Sequence, residues 1–155
     1  EEHNQFLKDK PLLVIEEGAV ENRNHHPVRI SHYKRLKKLV ICDRNYCGGC
    51  DCSIVCNDRL QTLVVKDKCF YEGFYNSDAK GLLRISDCRS LKGISIGDSF
   101  CNYPEFQLSG KHYSYGDIGC DALEELTIGA GRIGALRYVT EFVLKGKSIR
   151  LSFIH

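Results

Sequence analysis

The sequence lacks a long hydrophobic run, a large excess of one charge and any methionine. Its longest aliphatic run is the four residues Leu12–Ile15, far short of the ~18 that cross a bilayer, so we expect no membrane span. The 22 basic and 20 acidic residues leave a net charge of +2, whereas neutralising phosphates needs a clear excess of Lys and Arg. We therefore expect no nucleic-acid partner. A chain that begins at Glu1 without Met is expected to be a processed form or a piece of a longer protein, so the missing signal peptide says nothing about the compartment.

Length and composition predict one folded domain. Of the 155 residues, 43% are hydrophobic and 27% are charged, which is typical of a globular domain and excludes disorder as the default. Nine residues are cysteines, an odd number that would leave at least one thiol unpaired or paired with another chain in an oxidising compartment. The count mildly favours reduced, core-filling cysteines. The sequence does not decide between a cell-surface or extracellular location and a cytoplasmic one.

Internal repetition is the main signal in the sequence. Three windows of 16 residues, beginning at Val28, Cys52 and Leu83, align without a gap. Each reads apolar-x-Ile and then, six residues after the Ile, Leu-x-x-Leu/Ile-x-Ile/Val. The shared columns are Ile30, Ile54 and Ile85; Leu36, Leu60 and Leu91; Leu39, Leu63 and Ile94; Ile41, Val65 and Ile96; and Asp43, Asp67 and Asp98. A fourth copy is expected to begin at residues 106–108 and to resume at 123–128 after nine inserted residues, with a partial fifth at 142–144.

The apolar triplet that ends each copy predicts a short strand. In residues 39–41, 63–65, 94–96 and 126–128 the first and third side chains point the same way, as alternation along a strand requires. One such strand cannot bury its apolar face alone, but one strand per turn, stacked in parallel, builds a continuous core. We expect the Asp at the end of three windows to bond nearby amides, the aromatic residues Tyr46, Phe70 and Phe100 to form a second spine, and loops 71–81 and 110–119 to lie outside the coil.

The repeated Leu-x-x-Leu-x-Ile unit, as at Leu36, Leu39 and Ile41, resembles the leucine-rich repeat, and residues 88–100 are similar to its BspA-like subgroup of surface and protist proteins. In that subgroup a Cys precedes the ladder and an Ile-Gly-x-x-Phe-like segment follows it. The resemblance covers roughly residues 28–146. It implies a β-rich solenoid, a right-handed leucine-rich-repeat coil of about four to five short-strand turns with little helix. Residues 1–27 are expected to form an N-terminal cap with Leu12–Ile15 as its apolar strip, and residues 28–155 the solenoid.

Two motifs suggest bound groups. Cys42, Cys47, Cys50, Cys52 and Cys56 lie within fifteen residues, and Cys47-Gly-Gly-Cys50 has the spacing of a zinc knuckle. A structural metal site, a disulfide and free thiols all remain open there, although Cys52 falls in an inward column and is expected in the core. Cys69, Cys88, Cys101 and Cys120 fall singly in separate turns, which favours packing. Residues 129–134 match a dinucleotide fingerprint, but the required βαβ context is missing. We assign no cofactor, metal ligand or catalytic residue.

The exposed face of the ladder is the candidate binding surface, because stacked short strands present their outward side chains as straight rows. The partner-binding candidates on this face are Lys38, Val40, Thr62, Val64, Ser95, Glu125 and Thr127. The rows change from basic to acidic along the ladder, which favours partners of opposite charge at the two ends. Aromatic loop residues are expected to add anchors at low entropic cost. These are Tyr71, Phe74, Tyr75, Tyr113 and Tyr115.

We therefore expect a non-enzymatic protein-interaction or scaffold module. The alternative is a structural subunit of a fibre, coat or large assembly, in which copies stack head to tail. The odd cysteine count and residues 144–154, which show no evident polar cap, favour that alternative because an open end of a solenoid exposes strand edges.

Overall fold

A computed structural model describes residues 9–19, 28–45, 52–69, 82–97, 115–129, 141–145 and 148–154 of the chain. These residues form eleven strands and no helix. The strands are β1 (Leu12–Ile15), β2 (Val28–Ser31), β3 (Lys38–Ile41), β4 (Cys52–Val55), β5 (Thr62–Val65), β6 (Leu82–Ser86), β7 (Gly93–Ile96), β8 (Tyr115–Gly119), β9 (Glu125–Gly129), β10 (Glu141–Lys145) and β11 (Arg150–Ile154).

The strands form two sheets, and consecutive strands alternate between them. The six-stranded sheet has the order β1-β3-β5-β7-β9-β11, and the five-stranded sheet has the order β10-β8-β6-β4-β2. Every pairing in both sheets is parallel. Each sequence copy therefore contributes two strands, and the expectation of one strand per copy is wrong. We call two consecutive strands, one from each sheet, with the connection between them, a level; the levels are β2–β3, β4–β5, β6–β7, β8–β9 and β10–β11.

The columns of the sequence alignment are columns of paired residues in the sheets. Leu39 pairs with Leu63, Leu63 with Ile94, and Ile94 with Leu126. Their side chains are at most 2% exposed, and burial alternates along each of the four strands as the triplets predict. The predicted strands at 39–41, 63–65, 94–96 and 126–128 are thus confirmed. One buried cluster is shared by both sheets, so the core lies between them.

The five-stranded sheet shows where the sequence alignment was wrong. In β8, Gly116 pairs with Leu83 and Ile118 pairs with Ile85, so residues 116–118 hold the place that the alignment gave to 106–108. The expectation that loop 110–119 lies outside the coil is wrong for its last five residues, because Tyr115–Gly119 form β8, and Tyr115 is the first residue of that strand. The partial fifth copy at 142–144 is a strand, β10. The strip Leu12–Ile15 is β1, which pairs in register with β3, and β11 was not predicted.

The short connections between strands repeat one hydrogen-bonding scheme. The first connection, between the two strands of a level, contains a tight turn in which Leu36, Leu60, Leu91 or Leu123 donates its amide to the carbonyl three residues earlier, over 3.0 to 3.3 Å. All four leucines are at most 2% exposed. Three of these connections begin with a left-handed residue, His32, Cys56 or Asp87, with φ between 55° and 61°. The connection after β8 has no such residue, since Leu123 follows Ile118 by five positions whereas Leu91 follows Ile85 by six.

The second connection follows a strand of the six-stranded sheet, and the described ones, after β1, β3 and β5, also turn through a left-handed residue. Gly18, Arg44 and Lys68 have φ of 65°, 59° and 57°, and each lies three positions after the last inward residue of its strand. Asp43, one of the Asp residues that were expected to bond amides, accepts a hydrogen bond of 2.8 Å from the amide of Asp67. The expected aromatic spine of Tyr46, Phe70 and Phe100 lies outside the described residues.

Asn and Cys side chains satisfy the carbonyls that face the connections. In the first connection, Asn57 donates through Nδ2 to the Ile30 carbonyl at 3.0 Å, and Cys88 and Cys120 donate through Sγ to the carbonyls of Ile54 and Ile85 at 3.9 and 3.8 Å. In the second connection, Asn45 bonds the Glu16 carbonyl at 2.8 Å and Cys69 bonds the Cys42 carbonyl at 3.1 Å. Both residue types carry a donor toward the preceding level, which explains why they interchange at one position.

Candidate functional site

The outer face of the six-stranded sheet, which we call the strand face, is formed by the outward residues of successive strands. One row runs Leu12, Lys38, Thr62, Gly93, Glu125, Arg150, and the other runs Val14, Val40, Val64, Ser95, Thr127, Ser152. The seven candidates predicted on this face, Lys38, Val40, Thr62, Val64, Ser95, Glu125 and Thr127, therefore lie together on it. Lys38 and Glu125 are exposed and the other five are half-buried.

The strand face changes in chemistry from one edge to the other. At the edge formed by β1, three valines at adjacent positions, Val14, Val40 and Val64, make an apolar strip. Toward β11 the same row carries hydroxyl groups instead. The charge also changes, from Lys38 near β1 to Glu125 near β11, where Arg150 Nη1 lies 3.3 Å from Glu125 Oε1. The face thus offers an apolar and basic half and a hydroxyl-bearing half with an acidic residue already paired.

The edge strands of the same sheet carry the most exposed large apolar side chains among the described residues. In β1 these are Leu12 and Val14, and in β11 they are Leu151, Phe153 and Ile154, with exposures between 40% and 59%. Leu151 pairs with Leu126, and Phe153 pairs with Ile128. Leu151 and Phe153 therefore continue the inward columns, but no described strand pairs with the other edge of β11.

A groove that sequence reasoning missed follows the first connections across several levels. Its volume is about 590 Å³, and its lining includes His32, Cys56, Asp87, Cys88 and Arg89. His32, Cys56 and Asp87 are the left-handed residues of three adjacent levels: His32 donates its amide to the Cys56 carbonyl, and Cys56 donates its amide to the Ser86 carbonyl, each over 3.3 Å. These residues share no chemical type, so no sequence pattern marks their column.

The described cysteines are mostly part of the packing. Cys52 is fully buried in β4, as expected from its inward column, and Cys69, Cys88 and Cys120 are at most 2% exposed. Packing is thereby confirmed for these four. Cys42 and Cys56 are half-buried, and all six described cysteines are free thiols. Cys47, Cys50 and Cys101 lie outside the described residues. Among the described residues, no three His, Cys, Asp or Glu side chains are grouped as a metal site.

Two buried thiols contact each other across neighbouring levels. The Cys120 thiol hydrogen-bonds to Cys88, which lowers the pKa of Cys88, and bonding from Asn57 acts in the same direction. The pKa of Cys120 is raised, first by that hydrogen bond to Cys88 and then by burial. The sequence places these cysteines singly in separate turns and predicts no contact between them. Their spacing of 32 positions equals the offset between their copies, and this was the available signal for the pair.

The aromatic anchors predicted in the loops are not placed by the structure. Tyr71, Phe74, Tyr75 and Tyr113 lie outside the described residues, and Tyr115 starts a strand of the five-stranded sheet. Of the predicted binding residues, the structure therefore brings together only those of the strand face.

In the part of the chain that the structure describes, no helix has the length and apolar character needed to cross a membrane.

Comparisons with known proteins do not identify a relative. No protein-family model matches the chain, and no curated protein or solved structure matches it significantly.

Proposed function

We propose that the chain is a β-solenoid of the leucine-rich-repeat type and that it serves as a non-enzymatic interaction module, binding a protein partner through the strand face. Two findings support the solenoid. Consecutive strands alternate strictly between two parallel sheets, and the same inward columns continue through the successive pairings of each sheet. A coil of stacked turns produces this arrangement, and such coils bind partners over their extended strand surfaces.

The observation that carries the proposed binding role is the continuity of the strand face. Six strands spaced about 4.8 Å apart make a surface about 24 Å wide, across which outward side chains stay in register. Val40 and Val64 pair directly and are half-buried, while Lys38 beside them is exposed. This combination fits a partner that presents an apolar patch with an acidic side chain at its rim, because interfaces place apolar contacts centrally and charges at the edge.

Photo-crosslinking from the strand face tests the proposal. A photoreactive phenylalanine at Val64 should capture a partner from an extract of the source cells, and mass spectrometry should identify it. The identified partner is then titrated with the unmodified chain and with Val64→Arg. We expect Val64→Arg to weaken binding at least about tenfold, because a charge would replace a central apolar contact.

Ser53 supplies the matched control, because it is half-buried in β4, an inner strand of the five-stranded sheet, and pairs with Arg29 and Arg84 at outward positions. A photoreactive group at Ser53 should not capture the same partner, and Ser53→Arg should leave its affinity unchanged. Equal capture from positions 53 and 64, or equal loss of affinity with both arginine variants, would contradict a binding role for the strand face.

A second candidate function is supported by the edge strands. End-to-end stacking of copies would place β1 of one molecule beside β11 of the next, in the parallel orientation that the sheet already uses. Leu13 and Ile15 of β1 and Leu151 and Phe153 of β11 occupy the inward columns that would then be continued. Burying the exposed apolar groups of both strands is the driving force for such an assembly.

Sedimentation velocity over a range of protein concentrations separates the two candidates. End-to-end stacking predicts polymers that grow with concentration and that disperse in Phe153→Lys, whose charge would lie in the contact. A monomer at every concentration would exclude stacking, and it would leave the interaction module as the proposed function.

A further inference from the structure

We infer that Cys88 and Cys120 form a peroxide-responsive dithiol, which closes to a disulfide between adjacent levels of the folded chain. The inference does not depend on the proposed binding function. It starts from the position of the two residues in the first connections of consecutive levels. Each cysteine lies after a strand of the five-stranded sheet and begins the turn that contains the following leucine.

The backbone brings the two residues to the same height in neighbouring levels. In the register of β6 and β8, Ser86 pairs with Gly119. Asp87 follows Ser86 in the left-handed conformation, with φ of 55°, and no corresponding residue separates Gly119 from Cys120. Cys88 and Cys120 then open the same turn, accepting hydrogen bonds of 3.2 and 3.0 Å from the amides of Leu91 and Leu123.

The side chains are arranged for bond formation. Each Sγ lies within 3.9 Å of a carbonyl of the level before it, Ile54 for Cys88 and Ile85 for Cys120, and the two thiols are close enough for each to shift the pKa of the other. Neighbouring strands lie about 4.8 Å apart, which falls within the range of about 4.4 to 6.8 Å between Cα atoms that a disulfide bridges. By contrast, the register of β4 places Val28 and Leu83 beside Cys52, and the residue that precedes Cys69 in its column is Asn45.

The two cysteines have different chemical roles in the proposed oxidation. The lowered pKa of Cys88, caused by the hydrogen bond from Cys120, favours its thiolate, which is the nucleophilic form. Cys120 keeps its proton because the same bond raises its pKa. Cys88 is fully buried but borders the groove of about 590 Å³, so a small oxidant such as hydrogen peroxide reaches its sulfur when this connection opens locally.

The reaction balances in two steps. The Cys88 sulfur attacks one oxygen of hydrogen peroxide, the O–O bond breaks, and Cys88 becomes a sulfenic acid while one water is released. The Cys120 sulfur then attacks the Cys88 sulfur, the S–O bond breaks, and a second water carries away the hydroxyl group and the Cys120 proton. Two electrons pass from the two thiols to the peroxide.

Peptide mapping of the native full-length chain tests the inference. The chain is treated with hydrogen peroxide, its remaining thiols are alkylated in denaturant, and it is digested without reduction. We expect a joined pair of peptides containing Cys88 and Cys120, lighter by two hydrogen atoms than their sum and separated by reductant. The closed loop should raise the Tm by about 5 to 10 °C.

Two variants and one condition serve as controls. Cys69→Ser removes another buried connection thiol and should keep both the joined peptides and the gain in Tm, whereas Cys120→Ser should lose both. Oxidation in urea should give the 88–120 pair only as one of many pairings. The inference is overturned if the native unmodified chain yields alkylated or sulfinic Cys88, a different partner for Cys88, or the same mixture as the unfolded chain; this holds even if Cys120→Ser does not fold.

Discussion

The central and edge strands of the six-stranded sheet carry the same kinds of side chain in the same columns, yet their burial differs widely. Leu63, in the middle of the sheet, is fully buried, whereas Leu151 in β11 is 44% exposed. Both are inward leucines, so local sequence does not explain the difference. The difference comes from neighbours, because Leu63 has a paired strand on both sides and Leu151 has a described strand only on one. An inward position contributes fully only when strands flank it on both sides.

Truncation of the two leucines should show the largest contrast. Leu63→Ala leaves a cavity in the shared core and should lower the free energy of unfolding by about 3 to 4 kcal/mol. Leu151→Ala should lower it by less than about 1 kcal/mol, because much of its surface already contacts water. Urea unfolding of both variants measures the difference. Equal losses would mean that β11 is covered in solution, as end-to-end stacking predicts.

A glycine next to a central strand should give the next largest effect. A Cβ on Gly97 would meet the Asp67 carboxylate and would lie 2.7 Å from the backbone carbon of Lys66. Gly97→Ala should therefore cost about 1 to 3 kcal/mol of stability. Gly93→Ala is the control, because a Cβ there meets nothing within 4 Å, and it should stay within about 0.5 kcal/mol. Equal stability of the two variants would contradict this close approach between levels.

The left-handed residues of the second connection should behave alike beside an edge strand and beside an inner strand, because their strain is local. Gly18 follows β1 with φ of 65°, and Arg44 follows β3 with φ of 59°. Gly18→Ala should cost about 1 kcal/mol, and Arg44→Gly should gain about 0.5 kcal/mol. Arg44→Ala removes the side chain without relieving the backbone, so thermal unfolding of all three variants isolates the backbone effect. A loss of stability in Arg44→Gly relative to Arg44→Ala would refute it.

The smallest effect concerns pH and a connection beside β2, an edge strand of the five-stranded sheet. Tyr33 is only 8% exposed, and burial raises its pKa above the usual value of 10. Burial favours the neutral phenol, so the stability it contributes is present below about pH 10 and is lost as the pH rises through the higher folded pKa. Tyr33→Phe should lose less stability than the unmodified chain between about pH 8 and about pH 11. The same loss in both proteins would show that Tyr33 ionises without cost.

The ladder strands could be predicted from sequence because Leu39, Leu63, Ile94 and their neighbours repeat both residue type and spacing. The second sheet could not be predicted, since each of its strands shows at most one apolar-x-Ile or apolar-x-Leu unit. In β8 even that unit is altered, because Gly116 stands at the apolar position. The sequence alignment therefore places the start of the fourth copy at residues 106–108 and not at 116–118. The groove could not be predicted from sequence because a left-handed backbone conformation, rather than a shared side-chain type, places His32, Cys56 and Asp87 in one column.

The register also limits how far one part of the chain affects another. Strand pairing in the described residues never joins positions more than 33 apart, the separation of Leu82 and Tyr115. Among the described residues, strand pairing therefore links distant segments only through the intervening ones, as in a one-dimensional array. Damage in one segment should loosen its immediate neighbours first, and unfolding should spread outward from it, so protease cuts or hydrogen exchange would mark its position along the chain.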